Sequence, residues 1–186
     1  AARQGIIFLA MVGIRAEDRI LGAFDYSWGL GGLYTQRIVA HSGLFGACPG
    51  LVDPQEAVER LQVYGFTVVI ADPFWLSRFT EIAMARGVRT PMKAFISGAE
   101  RMTEHLRRLI EEYWRAPLYM TYGSTELGAS LGAECPAKAG YHLNEYDYAV
   151  EVVDPDAEGY GEIVFTTLTR TVMPLKTLLT LGPGSI

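Results

Sequence analysis

The chain has 186 residues, about the length of one domain. Hydrophobic residues make up 49% and charged residues 20%, which excludes a generally disordered chain and a coiled coil. The net charge of −5 gives no basic surplus for binding nucleic acid or an anionic membrane. We therefore expect a folded domain whose partners are neither nucleic acid nor membrane.

A unit of helix followed by strand recurs along the first two thirds of the chain. The predicted helices are 4–12, 54–64, 75–86 and 102–114, and the predicted strands that follow them are 19–24, 66–71, 92–97 and 118–121. Gly13, Gly65 and Gly87 follow the first three helices, as expected of residues that end a helix in the left-handed conformation. Alternating helices and buried strands predict an α/β fold, with a largely parallel sheet and flanking helices.

The last third of the chain changes character. Two further strands, 148–153 and 162–167, are joined by the Asp-, Pro- and Gly-containing segment 154–161, which predicts a hairpin. We therefore divide the chain into αβ units over 1–121, a motif turn with a partly antiparallel β segment over 122–175, and a divergent tail over 176–186.

Two turns of small residues follow predicted strands. One is Ser97–Glu100 and the other is Thr121–Glu126. Open α/β sheets bind ligands at the carboxyl ends of their strands, so the two turns are expected to face one crevice. Glu126 could supply a hard oxygen ligand to Mg²⁺. The alternative for each turn is an ordinary connection from strand to helix, with Ser124 or Thr125 as the cap.

Aromatic residues cluster near a glycine-rich segment. Phe24, Tyr26, Trp28 and Tyr34 could line a pocket for an apolar or aromatic substrate, or could equally belong to the core. The segment 29–32 lacks the glycine spacing of a dinucleotide-binding fingerprint, which argues against a Rossmann dehydrogenase.

The chain contains two cysteines, Cys48 and Cys135, too few for a disulfide framework, so a reducing, cytoplasmic location is the simpler interpretation. Cys135 and His142 suggest a weak, possible zinc site, although a structural zinc site takes more ligands than these two residues supply. His105 has charged neighbours on its helix, which include Arg107 and Glu111, and this pattern indicates a solvated helix face.

The motifs together resemble a known family. The segment 122–126 is similar to the Tyr-Gly-x-Thr-Glu motif of acyl-adenylate-forming, AMP-binding enzymes. The segments 161–170 and 173–175 resemble the corresponding stretches of phenylacetate–CoA ligases. The order and spacing agree from about residue 3 to residue 175. The resemblance implies that residues 1–186 are part of an adenylation domain.

The resemblance also implies an activity and its ligands. An ATP-dependent ligase of this family converts a small carboxylic acid to an acyl-adenylate, and coenzyme A then displaces AMP. The implied ligands are ATP or AMP, Mg²⁺ and coenzyme A.

The family's residue roles transfer to matching positions. Thr125 would contact phosphate and Glu126 would hold Mg²⁺, which makes these two the candidate catalytic residues. The residues implied to bind the nucleotide are Ser97, Gly98, Ala99, Glu100, Tyr122, Gly123 and Ser124, with Tyr122 stacked on adenine. The residues implied to line the acid pocket are Tyr26, Phe74 and Trp75, together with Ala99.

The sequence also departs from the family pattern. Met173-Pro174-Leu175 is followed by Lys176 and Thr177 without the Gly-Asp that holds the ribose hydroxyls in the family. The family's phosphate loop and its lysine-bearing domain have no counterpart among these residues. We therefore expect a truncated central fragment that is inactive alone and self-associates. The alternative is a non-catalytic α/β module for nucleotide binding or assembly that self-associates.

Overall fold

The computed structural model describes residues 2–172, 174–175 and 178–184. It divides into two compact units, 1–142 and 143–186. Among the described residues, no helix combines the length and apolar character needed to cross a membrane.

The first unit is built on a seven-stranded sheet with strand order β2-β1-β3-β4-β5-β6-β7. Its strands are β1 Arg19–Gly22, β2 Phe45–Ala47, β3 Val68–Ala71, β4 Ala94–Ser97, β5 Leu118–Ser124, β6 Ala129–Glu134 and β7 Tyr141–Leu143. The strands β2, β1, β3, β4 and β5 pair in parallel, and β6 runs antiparallel to β5. The predicted α/β fold with a largely parallel sheet is confirmed.

The described part of this unit contains five helices. α1 Ala2–Met11 precedes β1, and four helices connect the parallel strands: α2 Leu30–Ser42, α3 Pro54–Tyr64, α4 Pro73–Arg86 and α5 Glu104–Trp114. The carboxylates of Asp53 and Asp72 cap α3 and α4 by accepting backbone N–H bonds from Gln55 and Trp75. Gly65 ends α3 with a φ of 62°, as its position in the sequence predicts. Gly87 ends α4 in the same way, with a φ of 64°, so local signals explain where both helices begin and end.

The sequence did not predict α2 and β2. The glycines of the segment 29–32 disfavour a helix on propensity, yet Gly32 lies within α2. A Cβ at Gly32 would overlap the carbonyl of Asp25, whose oxygen accepts the Gly32 N–H at 3.1 Å. Close packing of the helix start on the preceding loop therefore outweighs the propensity of the residue.

The sheet separates two buried clusters. We call the side covered by α3, α4 and α5 the closed face; its centre is formed by Trp75, Phe79 and Trp114 against Phe95. We call the side covered by α1 and α2 the cavity face. Adjacent residues of one strand lie alternately on the closed face and on the cavity face, because successive side chains in a strand point to opposite sides of the sheet.

The second unit contains a smaller antiparallel sheet. Its strands are β8 Tyr148–Val153, β9 Gly161–Thr167 and β10 Leu178–Gly184, in the order β10-β9-β8. Tyr148 pairs with Thr167 and Val153 with Glu162, which confirms the predicted hairpin. β10 falls within the sequence predicted as a divergent tail, whereas Met173, Lys176, Thr177, Ser185 and Ile186 lie outside the described residues.

Candidate active site

A cavity of about 450 Å³ opens on the cavity face of the first unit. Its lining comes from α1 and α2 and from the carboxyl ends of β3, β4 and β5, together with the loop that follows β1. This is the place where open, mostly parallel sheets bind their ligands. The topology therefore brings the two predicted turns to one concave surface.

The inner part of the cavity is apolar. Its lining there includes Phe8 and Leu9 of α1, Ile38 of α2, Ile70 of β3 and Ile96 of β4, all of them buried. Phe24 and Tyr34 also line it, so two of the four clustered aromatic residues do face a pocket. An apolar surface of this kind suits the hydrocarbon part of a small ligand.

The turn after β4 is shaped by a close approach to β5. A Cβ at Gly98 would overlap the Thr121 hydroxyl, so only glycine allows this spacing without a shift. Ala99 has a φ of 72°, a strained value for a residue with a Cβ. Gly98, Ala99 and Glu100 line the cavity. Ser97 does not, because it is buried and its hydroxyl donates to the Ala71 carbonyl at 2.9 Å.

The turn after β5 leads into an antiparallel strand. The residues 125–128 form a tight turn between β5 and β6, so the alternative of a strand-to-helix connection is wrong for this segment. All five residues from Thr121 to Thr125 line the cavity. The ring of Tyr122 is half-buried, with its centroid 6.1 Å from that of Tyr141.

Glu126 follows directly after this lining. The Ser124 hydroxyl donates a hydrogen bond to its carboxylate, and this bond lowers the pKa of Glu126 below its ordinary value. The side chain is exposed. An exposed carboxylate that is ionised at neutral pH is a suitable oxygen ligand for a divalent cation.

The rim of the cavity is acidic. Asp25, Asp72 and Glu100 are among its lining residues, and the described lining contains no Lys, Arg or His. Hydrogen bonds from the Ser27 hydroxyl and then from the Ser27 N–H lower the pKa of Asp25. The site therefore offers negative charge and backbone or hydroxyl donors.

Three residues expected in the acid pocket do not line this cavity. Trp75 is buried on the closed face, where its indole N–H donates to the Val52 carbonyl at 2.7 Å. Phe74 is 70% exposed on α4. Tyr26 packs its ring near Gly50 and donates to the Pro49 carbonyl. None of the three belongs to the cavity lining.

The lining contributed by α1 was not anticipated from the sequence. The spacing of Gly5, Phe8 and Leu9 places them on one side of the helix. That spacing equally fits an ordinary buried helix face, so the sequence alone could not distinguish a pocket wall from core.

The suggested zinc site finds no support in the described part of the chain, which contains no group of three or more His, Cys, Asp or Glu side chains placed to hold a metal ion. Cys135 is half-buried and His142 is exposed. The neighbouring Glu134 is engaged in hydrogen bonds with Arg107 and with the Met120 N–H. These residues do not fit zinc.

The expectation of a solvated face on α5 is wrong for two of its residues. His105 is exposed, as expected. The Arg107 side chain is only 13% exposed and that of Glu111 only 26%, because both bond to the sheet. Charge alone in a helix pattern does not distinguish a solvated residue from one paired with a buried strand.

Comparisons with known proteins agree with this architecture. The structure superimposes on 2-hydroxyisobutyryl-CoA ligase, solved with 2-HIB-AMP and CoA, with a TM-score of 0.87 and 18% identity, covering 96% of this chain and 42% of that one. The two proteins therefore share a fold over this region.

Sequence comparison finds similarity to curated phenylacetate-coenzyme A ligases. The chain is 30% identical over 185 residues to the phenylacetate-coenzyme A ligase of Thermus thermophilus, and 27% identical over 179 residues to that of Aromatoleum evansii. These alignments cover 90% and 88% of this chain. No protein-family model matches it. The chain spans about 40% of the length of these curated relatives. The resemblance to phenylacetate–CoA ligases predicted from the motifs is confirmed.

Proposed function

We propose that this chain forms the nucleotide- and acid-binding part of an acid–CoA ligase that works through an acyl-adenylate. The observation that carries the proposal is the shared lining of one cavity by the turn after β4 and the turn after β5. These two turns carry the residues that match the adenylating enzymes. The similarity to phenylacetate-coenzyme A ligases supports the same function.

The cavity has two parts that suit the two ligands. The apolar wall formed by Phe8, Ile38 and Ile96 would hold the body of the acid. The polar edge formed by Gly98–Glu100 and Tyr122–Thr125 would hold the nucleotide, with the Tyr122 ring against adenine and the Thr125 hydroxyl at a phosphate oxygen. An aromatic acid such as phenylacetate is the proposed substrate.

Glu126 is the proposed ligand for Mg²⁺. The carboxylate is exposed and held ionised by the bond from Ser124, which fits a cation that binds one or two carboxylates together with substrate phosphates. Mg²⁺ would supply neutralisation of phosphate charge, which the acidic lining cannot provide. Thr125 and Glu126 would thus orient the triphosphate.

The proposed reaction has two displacement steps. A carboxylate oxygen of the acid attacks the α-phosphorus of ATP, and the bond to pyrophosphate breaks. The coenzyme A thiol loses its proton to solvent, its sulfur attacks the acyl carbonyl of the adenylate, and AMP leaves with the electron pair of the broken bond. The contribution of this chain is to position the reactants and to exclude water from the apolar part of the cavity.

Location and assembly are further parts of the proposal. A cytoplasmic location is supported by the low cysteine content. A homo-oligomer is supported by large apolar side chains on the surface, among them Ile7, Trp28, Leu33 and Phe74. The same exposed residues favour the second candidate function, a non-catalytic module that self-associates. A strictly monomeric species in light scattering at high concentration would count against self-association.

Calorimetric titration with AMP tests the nucleotide site. We expect Tyr122→Ala to weaken AMP binding by roughly fivefold or more, because stacking of a base on an aromatic ring is worth about 1–3 kcal/mol. Tyr160→Ala, which removes an exposed ring in the second unit, is the matched control and should leave the affinity unchanged. Glu126→Gln should reduce the effect of Mg²⁺ on ATP binding. Failure of the wild-type chain to bind AMP, or an affinity insensitive to Tyr122→Ala, would contradict the proposal.

A further inference from the structure

Within the described part of the chain, the first residues of β5 have no strand paired with them on the edge that faces β6. Side chains bond to their backbone there instead. β4 pairs with Leu118, Tyr119 and Met120 on one edge. On the other edge, the described pairing with β6 begins only at Thr121. The backbone groups of Leu118 and Met120 that face this edge would need other partners to avoid the cost of burial.

Three charged side chains supply those partners. Arg107 Nη1 donates to the Leu118 carbonyl at 3.0 Å, and Glu111 accepts the Leu118 N–H at 2.7 Å. Glu134, the last residue of β6, accepts the Met120 N–H at 2.8 Å. Side chains of α5 and β6 thus continue the hydrogen bonding of the sheet beyond the point where β6 pairing stops.

Arg107 and Glu134 also bind each other. Arg107 Nη1 and Nη2 lie 3.0 and 2.9 Å from the two carboxylate oxygens of Glu134, a bidentate arrangement. Their side chains are 13% and 10% exposed. Glu111 in turn pairs with Lys138, which follows β6. Removal of one partner would leave a buried charge without compensation.

The hydrogen bonds of Arg107, Glu111 and Glu134 affect the register in which β6 pairs with β5. A slip of β6 by one residue against β5 would turn every side chain of β6 to the opposite side of the sheet, because β5 stays paired with β4. The hairpin also contains an irregularity between Tyr122 and Gly123, where the pairing shifts by one residue. The hydrogen bonds that Glu134 accepts from the Met120 N–H and from Arg107 form only when β6 ends opposite the first residues of β5.

We propose that Arg107 and Glu134 are positioning residues, which fix the register of the β5–β6 hairpin and thereby the placement of Tyr122 and Thr125. The effect on register follows from the hydrogen bonds that Arg107 and Glu134 make with each other and with the backbone of β5. The effect on nucleotide affinity rests in addition on the proposed function, and the two are measured separately.

Hydrogen exchange of backbone amides tests the effect on register without any ligand. Glu134→Gln keeps the size of the side chain and an acceptor for the Met120 N–H, but removes the charge that pairs with Arg107. We expect exchange of the hairpin amides between residues 121 and 133 to accelerate at least tenfold, while amides of β3 change less than twofold. The matched control is Glu59→Gln, which removes the exposed pair with Arg86 and should change neither set.

AMP titration of the same variants tests the effect on the site. If the wild-type chain binds AMP, Glu134→Gln should weaken that binding at least fivefold and Glu59→Gln should not. If it does not bind AMP, the proposed function fails while the exchange experiment still decides the question of register. Hairpin amides that exchange at the wild-type rate, or a uniform acceleration across the whole sheet, would overturn the proposal. If Glu134→Gln does not fold, Arg107→Lys, which keeps the charge but loses the bidentate contact, is judged by the same outcomes.

Discussion

The closed face and the cavity face of the parallel sheet are formed by the same strands but have different roles. On the closed face Phe79 stacks between Trp75 and Trp114, with ring centroids 5.1 and 5.3 Å apart, and the Trp114 indole N–H is satisfied by the Thr80 hydroxyl. On the cavity face Ile70 and Ile96 are next to Val69 and Phe95 in sequence, yet they line the cavity. Of two neighbouring residues in a strand, one therefore stabilises the fold and the other shapes the candidate ligand site.

The largest effect is expected at the centre of the closed face. Phe79→Ala removes a fully buried ring that contacts two others, and we expect a loss of about 3–5 kcal/mol in the free energy of unfolding. Phe74→Ala is the matched control, because Phe74 lies on the same helix but is 70% exposed and should change stability by less than about 0.5 kcal/mol. Urea denaturation measures both. Similar losses for the two variants would contradict the close packing of this face.

A pair of leucines compares the two faces directly. Leu76 of α4 is fully buried on the closed face, whereas Leu9 of α1 borders the cavity. Leu→Ala in a core costs about 2–5 kcal/mol, and the cost is greatest where the side chain is packed on every side. We expect Leu76→Ala near the upper end of that range and Leu9→Ala near the lower end, because the Leu9 side chain has open space beside it. Equal losses in the free energy of unfolding for the two variants would indicate that side chains repack to fill the cavity in solution.

The smallest effect concerns the reactivity of a thiol on the cavity face. Burial raises the pKa of Cys48 to about 11, so its thiol is protonated at neutral pH and reactivity should appear only as the pH rises toward that value. In a Cys135→Ser variant we expect the rate of alkylation by iodoacetamide to rise roughly tenfold per pH unit between pH 7 and 10. Mass spectrometry follows the rate. A plateau near pH 9 would show that Cys48 is more hydrated than its packing indicates.

The sequence predicted those parts of the fold that depend on local signals. Asp53 before Pro54 and Gly65 after Tyr64 mark the ends of a helix whatever surrounds them, and continuous apolar runs mark the buried strands. The helix α2 escaped prediction because its glycines are explained only by contact with the loop at Asp25, which no local pattern reveals.

The candidate site was predictable to a similar degree. The two turns could be identified from their residues and from the rule that strand ends meet at one edge of a sheet. The sequence could not indicate that Trp75 faces the opposite side of the sheet from the cavity, since this depends on which side of the sheet α4 packs against. It also could not show that Arg107 and Glu134, 27 residues apart, form one buried pair.

The tight turn between β5 and β6 has a consequence for the order of folding. Tyr122 pairs with Gly132, close by along the chain, whereas Ile20 must find Val68 across two intervening helices and β2. Closing a short loop costs less chain entropy than closing a long one, and local contacts form faster. We therefore expect the hairpin that carries Tyr122 and Thr125 to assemble early, and the apolar wall behind it to be completed only when the long-range parallel pairs have formed.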